Sequence, residues 1–124
     1  MHRLVAAILA GVLVHSASAR DLQIRGVAGY LSEYELSADV AQRDGEAGAL
    51  SGPLTVRHVG VCTHDGPDEM LGRLQLRFTE PRRVEASLSY EGRECLYRGV
   101  LSDSETGFMT CNDKLTLPVR LWTK

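Results

Sequence analysis

Apolar and polar residues alternate with a period of two along most of the chain. Between residues 29 and 40, the apolar positions of one parity are Tyr30, Tyr34, Leu36, Ala38 and Val40, and the polar positions of the other are Glu33, Glu35, Ser37 and Asp39. Successive side chains of a strand point to opposite faces of a sheet. The pattern therefore predicts a half-buried strand with its tyrosine and leucine side chains inside.

The same alternation continues in six further runs. These runs span residues 54–62, 70–78, 84–90, 93–102, 108–111 and 115–121, with 23–27 as a doubtful additional strand. Residues 41–52 interrupt the pattern with a turn cluster, and Pro53 stands at the start of the next strand because proline disrupts the middle of a sheet. Glu91-Gly92 predicts a two-residue hairpin turn, since glycine tolerates a positive φ.

Seven or eight short strands without a helical pattern predict an all-β fold. Consecutive strands of this kind usually pair antiparallel, so we expect a small antiparallel meander barrel of 7–8 strands, with a two-sheet β-sandwich as the alternative. The expected interior contains many leucines and the aromatic residues Tyr30, Tyr34, Phe78, Tyr90 and Tyr97. Such bulky side chains favour a filled interior over a cavity for one small ligand.

The first nineteen residues have the order of a secretory signal peptide. His2 and Arg3 precede an apolar run from Leu4 to Val14, and Ala17-Ser18-Ala19 supplies a small-x-small cleavage pattern. The apolar run is shorter than the roughly twenty residues that a membrane span needs. We therefore predict a cleaved signal peptide at 1–19, cleavage after Ala19, and a single β domain at 20–124 in the periplasm or outside the cell.

The charge of the chain argues against binding to nucleic acid. The 124 residues carry a formal net charge of −2, and losing residues 1–19 removes one arginine and no acidic residue, which makes it −3. Arginines alternate with acidic residues instead of forming the clustered basic surface that nucleic acids require. No apolar run of membrane-spanning length follows the leader, so we expect a soluble mature chain without stable membrane insertion.

Three cysteines, Cys62, Cys95 and Cys111, lie in the mature region. An oxidising compartment favours a disulfide and leaves one thiol over. Our first pairing is Cys95 with Cys111, because they lie on consecutive predicted strands, although the turn length predicts an offset of a few residues. Pairing of Cys62 with Cys111 or with Cys95 is the alternative. Three reduced, buried thiols are the remaining possibility.

Candidate metal ligands are few. His58, Cys62 and His64 form an H-x3-C-x-H pattern that lacks the fourth ligand usual for structural zinc. Asp65, Asp68 and Glu69 supply oxygen ligands in a polar turn, but without the spacing of a calcium-binding loop. We therefore predict no metal and no cofactor.

No catalytic motif is recognisable in the chain. Glu33 and Glu35 lie two residues apart on one predicted strand face, about 7 Å from each other by strand rise. Paired carboxylates at that separation can hydrolyse glycosides. A polar outer face explains them better in a domain of this size. Trp122 is interpreted as an anchor in the core or at the rim.

The length and the alternation resemble those of small secreted bacterial barrels, which include avidin-like proteins, lipocalins and periplasmic lysozyme inhibitors. Their motifs are not reproduced. Gly29-Tyr30 departs from the Gly-x-Trp of lipocalins, and residues 104–109 match only the Ser and Gly of the inhibitors' Ser-x-x-Gly-x-x-Tyr loop. Trp122 is the one tryptophan that could correspond to the ligand-stacking tryptophans of the avidin group. No family is assigned.

These observations favour a non-enzymatic binding or interaction module, such as an inhibitor of an envelope or secreted enzyme. Its partner would be an unidentified protein or small ligand, contacted through loops such as 41–52, 63–69 and 103–107. A carrier that holds a small ligand in the barrel interior is the alternative. A small enzyme without a recognisable motif is a second alternative.

Overall fold

A computed structural model describes residues 21–42, 48–59 and 69–124, which form one closed barrel of eight antiparallel strands. The strands are β1 (Asp21–Ala28), β2 (Tyr34–Gln42), β3 (Ala49–His58), β4 (Glu69–Phe78), β5 (Arg83–Tyr90), β6 (Arg93–Val100), β7 (Gly107–Cys111) and β8 (Thr116–Thr123). Each strand pairs with the next in sequence, and β8 closes the barrel against β1. The predicted meander barrel is confirmed, and the doubtful segment 23–27 lies within β1.

The inward faces of the eight strands form one contiguous apolar core. The largest side chains with less than 2% of their surface exposed include Ile24, Leu50, Leu54, Leu74, Leu88, Tyr97, Met109 and Leu121. Among the residues that the structure describes, no polar or charged residue is buried. A one-residue shift in register would turn these apolar side chains outward, so the alternation itself specifies the strand pairing.

The aromatic residues expected inside divide into three groups. Tyr90 and Tyr97 are buried, and Tyr34 and Phe78 are partly buried against the core. The prediction for Tyr30 is wrong, because 72% of its surface is exposed. The first predicted strand begins late, at Tyr34, since residues 29–33 form a turn in which the Ser32 N–H donates to the Gly29 carbonyl at 3.1 Å.

Two predictions about β3 are also wrong. Residues 49–52 were expected in a turn, but β3 begins at Ala49, and Pro53 lies in its middle instead of at its start. Pro53 is tolerated because the pairing of β3 with β2 is interrupted beside it and resumes in the same register on both sides. The neighbouring Gly52 permits this close approach, since an added Cβ would collide with the Asp39 carbonyl.

Cys95 on β6 and Cys111 on β7 lie directly opposite each other and form a disulfide. The Asn112 N–H donates to the Glu94 carbonyl at 2.8 Å. These residues flank the cysteines, so the cysteines form a non-hydrogen-bonded pair, in which opposite side chains approach most closely. The expected offset is absent because β6 and β7 pair at only three positions and a long segment separates them. Cys62 lies outside the described residues.

Candidate binding cleft on the outer wall

The barrel register places four outward-facing side chains in a row across neighbouring strands. Trp122 lies beside Arg25, Arg25 beside Ser37, and Ser37 beside Thr55. Chain neighbours of these residues, among them Leu121, Ile24, Leu36 and Leu54, are buried in the core, so all four side chains face the outer wall. The row therefore combines an aromatic ring, a guanidinium and two hydroxyls on one surface.

An open cleft with a volume of about 430 Å³ lies over the part of this row formed by Trp122, Arg25 and Ser37. Its lining consists of Arg25, Gly26, Val27, Glu35, Leu36, Ser37, Arg57 and Trp122, and we call it the Trp122 cleft. Leu36 is buried, and Ser37, a small residue of the lining, lies directly opposite Arg25.

The cleft carries a net positive charge, because it contains two arginines and one glutamate. Arg57 and Glu35 approach within 4.0 Å and are both more than half exposed, which makes this ion pair weak. Arg25 is partly buried and forms no hydrogen bond or ion pair with any residue that the structure describes. The Arg25 guanidinium is therefore available to an external acceptor.

Trp122 forms one wall of the cleft. The Arg120 guanidinium carbon lies 6.0 Å from the centre of the Trp122 ring, and Arg120 also donates to the Asp103 carbonyl at 2.9 Å. These contacts hold the indole in place while part of it stays exposed. Trp122 was expected in the core or at the rim, but the alternation that buries Leu121 places Trp122 on the outer wall.

A second groove, of about 200 Å³, lies on the outer wall across β3 to β6, and we call it the neutral groove. Its charged residues are Arg77 and Glu85, which balance each other. Glu85 also lies 3.4 Å from the Arg98 guanidinium. This groove therefore has neither the excess charge nor the tryptophan of the Trp122 cleft.

The two glutamates considered as a catalytic pair have separate roles. Glu33 precedes β2, and its Oε1 accepts a hydrogen bond from the Leu31 N–H at 2.9 Å. Glu35 lies on β2 beside Arg57. The Glu33 carboxylate therefore belongs to the turn before β2, and the Glu35 carboxylate belongs to the cleft.

The residues considered as metal ligands are only partly described. His58 lies directly opposite Tyr34, and their ring centres are 5.1 Å apart in an edge-on arrangement. Cys62, His64, Asp65 and Asp68 lie outside the described residues, and Glu69 is an exposed residue at the start of β4. Within residues 21–42, 48–59 and 69–124, no group of three or more His, Cys, Asp or Glu residues could hold a metal ion.

The three segments proposed as functional loops also change in extent. Residues 41–42 and 49–52 belong to β2 and β3, and residue 107 belongs to β7. Residues 43–47 and 63–68 lie outside the described part of the chain. In the remaining segment, the Ser104 N–H donates to the Ser102 hydroxyl at 3.1 Å, and Glu105 lies 3.7 Å from Arg82.

The chain matches no protein-family model, no curated protein and no solved structure. In the described ranges, no helix is long and apolar enough to cross a membrane. The chemistry of the outer wall is therefore the basis for a functional proposal.

Proposed function

We propose that the protein is an exported, non-enzymatic binding module that contacts a partner protein through the Trp122 cleft. The observation that supports this proposal is the contrast between the two sides of the barrel wall. The inward side is a contiguous apolar core, whereas the outward side carries a positive cleft with an available guanidinium. An inhibitor of an envelope or secreted enzyme is one form that such a module takes.

The interior supports binding at the outside more than it supports a carrier. An eight-stranded barrel is just wide enough to be filled by side chains or to hold one small ligand. Here Leu88, Tyr97 and Met109 have at most 1% of their surface exposed and pack in the same cluster. A ligand in the barrel centre would have to displace these side chains.

The location that we propose is the periplasm or the exterior of the cell. The signal peptide predicted at 1–19 supports export. The Cys95–Cys111 bond also supports it, because disulfides persist in oxidising compartments. A disulfide-stabilised barrel of this size is suited to present a rigid surface to a partner.

Site-specific photocrosslinking in an envelope extract tests the proposal. A photoreactive amino acid replaces Thr55, which faces outward beside the cleft floor, and in a matched protein it replaces Gln75, which faces the neutral groove. We expect one crosslinked protein from the Thr55 position, identified by mass spectrometry, and none from the Gln75 position. Equal crosslinking at both positions, or none at either across several salt concentrations, would contradict the proposal.

A further inference from the structure

We propose that the Trp122 cleft recognises a short, extended, acidic segment of the partner protein, with Arg25 pairing with a carboxylate and Trp122 contacting the apolar residue next to it. This inference rests on the proposed function and specifies the chemistry of its partner. The neutral groove has balanced charges, Arg77 and Glu85, and therefore favours a ligand of neither sign.

Arg25 is the residue that selects a carboxylate. Its guanidinium presents five N–H donors in a planar fork that fits a carboxylate with two parallel hydrogen bonds. It is partly buried and has no acceptor in the described part of the chain. Partial burial strengthens an ion pair relative to bulk water because the local dielectric is lower. A carboxylate is therefore the group that this position lacks.

The charges around Arg25 favour a local acidic segment over a long polyanion. Arg57 lines the same cleft, Arg120 stacks beside Trp122, and Glu35 is the one carboxylate in the lining. The next outward carboxylate on β2 is Asp39, which lies two residues after Ser37 and opposite Gln23. It is therefore outside the lining of the cleft. The chain as a whole carries a net charge of −2. A nucleic acid needs an extended basic surface, whereas two or three arginines suffice for an acidic peptide.

The shape of the wall sets the length of the segment. The row from Trp122 through Arg25, Ser37 and Thr55 continues to Leu71 on β4, whose side chain is 70% exposed. Four strand spacings of about 4.8 Å give a path of roughly 19 Å along the barrel surface. Because this path crosses five of the eight strands of a closed barrel, an extended peptide of at least six residues must curve with the wall to follow it. Apolar groups at both ends and hydroxyls between them fit a segment with an apolar residue at each end and a carboxylate near the Trp122 end.

Fluorescence of Trp122 measures this binding directly, because Trp122 is the only tryptophan in the chain. The probe is the capped peptide Phe-Glu-Ser-Ser-Ser-Leu, titrated into the mature chain at low salt, and the comparison peptide replaces its Glu by Gln. We expect a saturable change with the Glu peptide that weakens as salt is added, and at least tenfold weaker binding of the Gln peptide. Loss of one charge-assisted pair accounts for that factor.

Two variants separate the cleft from general charge effects. Arg25→Gln should weaken binding of the Glu peptide at least tenfold and leave the circular dichroism spectrum unchanged, since Arg25 has no partner in the described chain. Arg77→Gln removes the same charge from the neutral groove and should change binding less than twofold. Equal weakening by both variants would overturn the proposal, because net charge alone would then explain the binding.

The outcomes also separate this inference from the proposed function. If the Glu peptide does not bind while Thr55 crosslinks to a partner, the proposal of an acidic segment is wrong, whereas the proposed function as a binding module is supported. If the Glu and Gln peptides bind equally, the proposed pairing of Arg25 with a carboxylate is wrong, and the cleft recognises the apolar groups of the peptide. If neither peptide binds and Thr55 gives no crosslink, both proposals fail.

Discussion

The barrel contains two regions that reach stability by different means. In the long-strand region, β1–β5, neighbouring strands pair over many positions, and β3 and β4 pair at nine. In the disulfide region, β6–β8, the β6 and β7 strands pair at three positions and β7 and β8 at four. A short ladder has few hydrogen bonds and few cross-strand side-chain pairs. A covalent bond and one large aromatic side chain provide the missing contacts in the disulfide region.

Tyr97 is that aromatic side chain. Its ring packs where an added Cβ on Gly99 or Gly107 would collide with it, and its hydroxyl donates to the Val100 carbonyl at 3.0 Å. The adjoining segment 101–106 is fixed to β8, because the Ser102 N–H donates to the Leu121 carbonyl at 2.7 Å. Tyr97 thus occupies the space left where β6 and β7 diverge.

Replacing Tyr97 by alanine should have the largest effect on stability. Tyr97→Ala removes a side chain that is 1% exposed, so we expect the free energy of unfolding to fall by about 3–5 kcal/mol. Urea unfolding measures the change. Tyr30→Ala is the control, since Tyr30 is exposed and should change stability by less than about 0.5 kcal/mol. A loss below about 1 kcal/mol for Tyr97→Ala would mean that this region does not depend on the ring.

Removing the disulfide should have the next largest effect. The bond joins residues 16 positions apart, and the double variant Cys95→Ala/Cys111→Ala should lower the free energy of unfolding by about 3 kcal/mol. Thermal unfolding should show a decrease of more than about 10 °C in Tm. Cys62→Ala, which leaves the observed bond intact, should keep the higher Tm. A non-reduced peptide map with Cys62 in the bond would contradict this pairing.

The features of the two regions differ in how far the sequence predicts them. The two-residue alternation sufficed for the meander and for the inward positions of Leu88 and Tyr97, and Gly92 sufficed for the two-residue turn at Glu91-Gly92, because these features depend on local geometry. The positive φ of Glu91 was not predicted. The position of Pro53 could not be predicted, since it depends on how closely β2 approaches Gly52. The Trp122 cleft could not be predicted either. Its residues lie on four strands and are separated by almost the whole chain length, and only the register between those strands brings them together.

Gly52 is where the long-strand region should be most sensitive. An added Cβ would meet the Asp39 carbonyl of β2, so Gly52→Ala should force the strands apart and lower the free energy of unfolding by about 1–3 kcal/mol. Chemical denaturation measures the change. Ser51→Ala, one residue earlier on the outer face, removes only an exposed hydrogen bond from Arg73 at 3.3 Å and should cost less than about 0.5 kcal/mol. Equal effects of the two variants would show that the close approach is not required for stability.

Stability at high pH should also depend on Tyr97. Burial raises the pKa of the Tyr97 phenol above its ordinary value of 10.0. The folded state therefore keeps its proton where the unfolded state ionises, so this contribution is complete below about pH 10 and is lost as the pH rises through the folded pKa. Tyr97→Phe should cost about 1 kcal/mol at pH 7 and reduce the alkaline decline. Parallel pH profiles for both proteins would contradict this assignment.

The turn between the two regions offers a small gain in stability. Glu91 and Gly92, which join β5 to β6, both have positive φ, at 50° and 76°. A turn of this kind favours Asn-Gly, because asparagine adopts a left-handed conformation more readily than glutamate. Glu91→Asn should therefore raise the free energy of unfolding by about 0.5–1 kcal/mol, measured by urea unfolding.

The control for this turn is Glu94→Asn, which removes the same charge from an exposed strand position three residues later. Asparagine is disfavoured in strands, so this variant should be neutral or slightly destabilising. If both variants raise the free energy of unfolding, the effect is due to the lost charge. If only Glu91→Asn raises it, the effect is due to relief of backbone strain in the turn. In the second case, the hairpin that joins the two regions is not optimised for stability, although it fixes the register of β5 with β6 that places Cys95 opposite Leu88.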